Sequence, residues 1–315
     1  MRNYADQDYL HARIYAMRGR LLSLRDYASM VREQHTFAFK LSGAHDLIEA
    51  KETLFREQIA PVIGLVEAYD KYVPLFLAYL RQFETHNAKI LLAKAFGKES
   101  LEQWYDIGPF AILGKGLLQK NLSLGEIKSL LANTYLADDF KDISSYLRME
   151  IHLDISAARN LYNSSTSLSG QAKKEFQDMI LKRIAMLTVI WSYRLRGYYH
   201  WNDENVRLYM DKFNNLFGSH AASQIRIVEE ELNRHLEQLH KGGQEPSIVD
   251  IERHLEQNYY DWVSFMFHRD FHSICCVVAY LWLLFYQIKN LFRIIDGRRF
   301  GFSAEAILNK MICEE

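Results

Sequence analysis

The chain has 315 residues, with 38 lysines and arginines against 39 aspartates and glutamates. A formal net charge of −1 leaves no global field to draw it onto nucleic acid or anionic lipid. Apolar residues make up 49%, and 15 glycines with 4 prolines are about half the usual share of helix and strand breakers, which excludes collagen-like and disordered classes. Three cysteines, two of them adjacent (Cys275, Cys276), form no disulfide framework and read as small apolar residues of a reduced core.

In chain order, apolar periodicity predicts helices near 8–32, 44–70, 72–97, 110–120, 124–133, 138–164, 170–198, 203–217, 219–242, 247–267, 270–299 and 303–313. No stretch alternates with a period of two, so the fold class is all-α. The opening "MRNYADQDYLHARIYAMRGR" lacks the apolar core of a signal peptide, and the expectation is a cytoplasmic protein. Ser123 with Glu126 forms a capping box, in which each side chain satisfies a free backbone N–H of the first turn. Asn202 and Ser303 are further N-cap residues. The uncharged run at 271–288 approaches membrane-spanning length. Its strictly apolar part is only Ile274 to Phe285, which fits a helix buried inside the protein.

Three long helices end alike: "FETHNAKILLAKAFG" at Gly97, "RIAMLTVIWSYRLRG" at Gly197 and "YQIKNLFRIIDGRRFG" at Gly301. The glycines lie 100 and 104 residues apart. Asn87 and Asn290 fall on the apolar stripe of the first and third copies, where a buried amide can bond a neighbouring loop and fix register; the middle copy has Leu187. Basic residues near the ends, Lys94, Arg194, Arg196, Arg298 and Arg299, oppose the helix dipole, and a glycine beyond them can close the helix in the left-handed conformation. The reading is three units on one plan: 1–108, 109–205 and 206–315, with the N-terminal helix packing with the third.

Motifs for chemistry are weak. "GPFAILGKG" (Gly108 to Gly116) has five residues between its glycines where a phosphate loop has four, no Ser or Thr after Lys115 and no preceding strand. His268 and His272 in "HRDFH" stand at i and i+4, a spacing that on one helix face can chelate zinc, with His235 or His240 as a third ligand. No carboxylate stands at a recognised spacing, and no nucleophile elbow or carboxylate pair is present. No cofactor is expected. A metal-dependent all-α hydrolase and a helical scaffold are the alternatives to the reading that follows.

"YLHARIYAMRGRLLSLRDY" (Tyr9 to Tyr27), "FETHNAKILLAKAFGKE" (Phe83 to Glu99), "IGPF" (Ile107 to Phe110) and "YQIKNLFRIIDGRRFGFSAEAI" (Tyr286 to Ile307) occur in that order. Together they resemble the C-type central-stalk component of V/A-type ATP synthases, a family that includes the d-type component of vacuolar pumps. The last block carries Asn290, Gly297, Arg299, Gly301, Ser303 and Glu305 of the family pattern. Gln287 stands where a Glu is usual and Phe292 where an Arg is usual. The resemblance implies three similar helical domains about a pseudo-threefold axis, forming a funnel. It implies a non-catalytic rotor component on the cytoplasmic face of the membrane, linking shaft subunits of D and F type to the proteolipid ring, without a transmembrane span. Lys89, Lys94, Arg194, Arg196, Arg293, Arg298 and Arg299 are the expected partner-facing residues.

Overall fold

A computed structural model describes residues 7–32, 47–98, 103–137, 145–269 and 272–314. Among these residues there is no β-strand, and the regular elements are α1 (Gln7–Arg18), α2 (Leu24–Arg32), α3 (Leu47–Ala68), α4 (Val73–Ala95), α5 (Leu124–Leu131), α6 (Tyr146–Asn163), α7 (Gly170–Gly197), α8 (Asp203–Lys241), α9 (Ile248–Arg269), α10 (Ile274–Arg299) and α11 (Ala304–Leu308), with short 3-10 turns between. The expected helix starts at 44, 138 and 270 lie outside the described residues. Contacts divide the chain into two compact units, one of residues 1–169 and 287–311, the other of 170–286 and 312–315. Helix α10 therefore supplies Ile274–Tyr286 to the second unit and Gln287–Arg299 to the first.

In the first unit α4 is the central element, packing against α3, α5 and α6. Pro74 opens it, where a missing N–H costs nothing, and Phe76, Leu80 and Phe83 bury its inner stripe. Near its C-terminal end Ala88, Leu91 and Leu92 join Trp104, Ile127, Leu131, Met149 and Leu153 in a cluster. The single helix expected over 8–32 is two. Gly19 to Ser23 break it, and Ser23 starts α2 with a capping box, its N–H donating to Asp26 Oδ2 at 2.8 Å while Asp26 N–H donates to Ser23 Oγ at 3.3 Å. The α-helix expected over 110–120 is absent; two 3-10 turns, Gly108–Phe110 and Lys115–Gln119, replace it. Between the two turns the side chain of Glu84 on α4 takes the backbone N–H groups of Ile112 and Leu113.

In the second unit α7 packs on α8 and α9. The expected break between 203–217 and 219–242 is real: α8 is interrupted at Gly218, whose φ of 76° and ψ of −175° are not helical. The first half of α10 is buried against this unit's aromatic residues. Arg183 is itself buried, its Nη1 donating to Tyr286 Oη at 3.1 Å, with Trp282, Tyr259 and Phe285 around the guanidinium at 4.8, 5.4 and 5.5 Å from their ring centres. The most apolar window of α10 has membrane-spanning length and composition, yet 89% of it is buried within the protein, as in a core helix. The helix expected over 303–313 stops at Leu308, and Ile312 to Glu314 instead run against α9, with Ser264 Oγ donating to Glu314 Oε1 at 2.7 Å.

Candidate interface at the helix ends

Asn87 is fully buried on α4 and grips the loop beyond that helix through both amide atoms. Its Nδ2 donates to Tyr105 O and its Oδ1 accepts from Tyr105 N–H, both at 2.8 Å. One turn earlier the buried Glu84 Oε1 accepts from the N–H groups of Ile112 (2.5 Å) and Leu113 (2.7 Å). On α3, Glu52 accepts from Trp104 N–H at 3.0 Å and pairs with Lys115. Three side chains thus clasp the 103–115 segment by its backbone, an accounting that each buried N–H requires. On α10 the corresponding turn carries Gln287 and Asn290. Gln287 Oε1 accepts from Leu22 N–H and its Nε2 donates to Gln58 Oε1, both at 2.6 Å. Asn290 is buried, and its Oδ1 accepts from Arg293 Nη1 at 3.0 Å. Leu187, in the middle copy, is half-buried.

The helix ends differ in how they close. Gly97 (φ 67°) and Gly301 (φ 68°) adopt the left-handed conformation, with Lys98 N–H bonded to Ala93 O and Phe302 N–H to Gly297 O at 2.9 and 2.8 Å. Gly197 does not: it remains helical, and His200 takes the positive φ (54°) after it. The part of Gly197 is in packing. A Cβ on Gly197 would overlap the side chain of Ile248, the first residue of α9, just as one on Gly297 would lie 2.5 Å from Ile307 Cγ1. These two glycines are sites of close helix approach.

Most of the basic residues at the ends are engaged with another element of the fold. Lys94 Nζ donates to Leu118 O and Lys120 O at 2.5 and 3.3 Å, just before the Ser123 cap of α5. Arg194 makes a bidentate pair with Glu252 of α9 at 2.5 and 2.7 Å, one turn beyond a third capping box, Ser247 with Asp250. Arg298 Nη2 donates to Met30 O of α2 at 2.5 Å. Arg196 reaches Asp203 at 2.6 Å, and Lys89 pairs with Asp154 of α6 at 2.6 Å with Glu150 at 3.9 Å. Arg293 is half-buried beside Asn290, and Arg299 is exposed. Sequence reading missed the clasps by Glu84, Glu52 and Gln287 and two of the three caps. Only the caps had a readable signal, the thrice-repeated "SLRD", "SLGE" and "SIVD".

His268 sits in the last turn of α9 and His272 beyond it, so the two do not share a helix face. Among the described residues no three His, Cys, Asp or Glu side chains form a group able to hold a metal. His235 instead stacks on His254 between α8 and α9, ring centres 3.6 Å apart and planes 3° from parallel. This pair lines a cleft of about 600 Å³ with Glu245, Asp250 and Arg253. Burial, then His235, pushes the His254 imidazole down to about 4. A more polar cleft of about 640 Å³ lies between α7 and the two arms of α8, lined by Arg196, Arg207 and Arg226 with Asp203, Asp211 and Glu229. Burial raises the Glu229 carboxyl above its ordinary value.

The family model of the ATP synthase (C/AC39) subunit matches residues 67–310. The chain belongs to this family. Membership makes it part of a V/A-type ATPase complex. No curated protein matches the chain. The C/AC39 match takes in all three recurring helix ends, the clasped 103–115 segment and both Asn87 and Asn290; α1, α2 and nearly all of α3 precede it.

Proposed function

We propose that this C/AC39 family member is the non-catalytic socket of a V/A-type rotary ATPase, joining the rotor shaft of D- and F-type subunits to the membrane proteolipid ring. It transmits torque between ATP turnover and ion transport and sits peripherally on the cytoplasmic face. In this reading the three recurring helix ends mark three similar domains about a pseudo-threefold axis, and the funnel they form receives the shaft. The family match carries the reading. The clasps support it, because a torque-bearing part must not shear, and backbone-held loops with buried amides resist sliding of one helix past another. Exposed basic groups at the helix ends, Arg196 and Arg299, are the surface that meets a partner. Lys94, Arg194, Arg298, Lys89 and Arg293 stiffen that surface from within and contribute to it with whatever donors remain.

Co-expression with D- and F-type shaft subunits and affinity capture of the shaft tests this. Stoichiometric recovery of the chain is expected, and recovery lost on charge reversal at Arg196 and Arg299 would place them in the contact. A chain that never co-purifies with shaft or ring rules the socket out.

A further inference from the structure

The turn after α10 carries two large apolar side chains in the open. Phe300 is 66% exposed and Phe302 53%, with ring centres 6.3 Å apart. The turn that holds them is stiff. Phe300 N–H bonds to Asp296 O at 2.9 Å, Gly301 N–H to Arg298 O at 3.1 Å and Phe302 N–H to Gly297 O at 2.8 Å, while Gly301 takes the left-handed conformation that a side chain resists. Each ring has a cation over it, Arg299 on Phe300 and Lys310 on Phe302, both 5.7 Å from the ring centre, and both cations are exposed. One exposed acid, Glu305, lies on the short helix that follows.

We propose that this turn is a lipid-contact site: Phe300 and Phe302 enter the headgroup boundary of an anionic bilayer, and Arg299 and Lys310 meet its phosphates. Exposed aromatic residues with adjacent cations have the chemistry that anionic interfaces attract, apolar burial adding to charge pairing. Paired rings on a fixed turn lose little freedom on insertion. The net charge of −1 supplies no long-range pull, so the contact is local and works once the rest of the assembly brings the turn to the surface. In that respect it rests on the proposed placement at a membrane, with Arg299 standing where the proteolipid ring and its surrounding lipid adjoin.

Flotation of the full chain with vesicles of phosphatidylcholine alone, or of phosphatidylcholine with phosphatidylglycerol, tests it at low and high salt. Binding to the anionic vesicles should exceed that to neutral ones by roughly tenfold and fall with salt. Phe300→Ser with Phe302→Ser should lower flotation with both vesicle types, and separately Arg299→Gln with Lys310→Gln should abolish most of the difference between them, while circular dichroism stays unchanged. Equal flotation with both vesicle types, or anionic binding untouched by both double variants, overturns the site. So does loss of shaft or ring capture by the variants without any vesicle binding by the parent chain, which would make the turn a protein contact. A chain that binds anionic vesicles through these residues but never co-purifies with shaft or ring keeps the lipid site and removes the socket.

Discussion

Glu84 on α4 and Gln287 on α10 play the same part with different charge: each holds a loop by its backbone N–H groups. Gln287 uses its amide on both sides, whereas Glu84 leaves Oε2 buried without a hydrogen-bond partner. Burial raises the Glu84 carboxyl above its ordinary value, against the pull of the Leu113 and Ile112 amides. A folded-state pKa above the unfolded one means that the folded protein keeps a proton which the unfolded chain has lost. Stability from this group is therefore fully present below the unfolded carboxylate value and is lost as pH rises through the folded one. Glu84→Gln, which keeps the acceptor and removes the charge, should fold as well as the parent and show a flatter melting temperature from acid to neutral pH. Glu84→Ala orphans two N–H groups and should cost roughly 2–5 kcal/mol at any pH. Chemical denaturation of the three proteins across pH checks this; a Gln variant as unstable as the Ala variant would mean that the anion itself is needed.

At the scale of elements, packing decides what the repeats only suggest. Gly297 lies in α10 against Ile307 of the short helix that follows, and an added methyl meets Ile307 Cγ1 at 2.5 Å and Cδ1 at 2.8 Å. Helix propensity favours Ala there by about 1 kcal/mol, and overpacking opposes it by about 1–3 kcal/mol. Gly297→Ala should therefore destabilise by up to about 2 kcal/mol, and adding Ile307→Val should recover part of that loss. A stabilised Gly297→Ala in urea melts would show that α11 yields freely. The α8–α9 pair makes a different prediction. The His254 ring lies 3.6 Å from that of His235, and Asn258 Nδ2 lies 3.0 Å from His254 Nε2, as a donor to an unprotonated nitrogen would. Since the folded His254 value is about 4 and the unfolded one about 6.5, the unfolded chain takes up the proton first. Stability is lost as pH falls through that window, with Glu245, Asp250 and Arg253 as the charged neighbours in the cleft. His254→Phe should flatten the melting temperature between about pH 7 and pH 5, where an unfolded-chain histidine titrates; an unchanged acid slope would remove the stack as its cause. Helix content, the break at Gly218 and the left-handed closures at Gly97 and Gly301 were legible because periodicity and glycine chemistry are local. The packing role of Gly197 was not, because Ile248 reaches it from 51 positions along the chain. Nor was the irregular path of 108–119, where Glu84 from another helix takes the Ile112 and Leu113 N–H groups between two 3-10 turns.

For the whole molecule, the basic residues picked out by sequence separate into two classes with different consequences. Lys94, Arg194 and Arg298 each reach from a helix end to another element: the approach to α5, α9 and α2. Their shared position before the terminal glycine was readable, but their partners were not, since Glu252, Leu118 and Met30 are fixed by tertiary packing alone. Arg299 has no such reach. The proposed socket would use both kinds, an internal one that passes strain from helix to helix and an external one that meets the neighbour. Arg194→Ala removes a half-exposed bidentate pair with Glu252 and should cost about 1 kcal/mol. Its melting temperature should fall, and shaft capture should weaken only in proportion to the folded fraction. Arg299→Glu should leave the melting temperature within error and lower capture of shaft or ring directly. If the two variants exchange behaviours, Arg194 reducing capture at full stability and Arg299 unfolding without loss of capture, then the division between clasp and contact surface is wrong, and the helix ends meet their partner through the groups assigned to the interior.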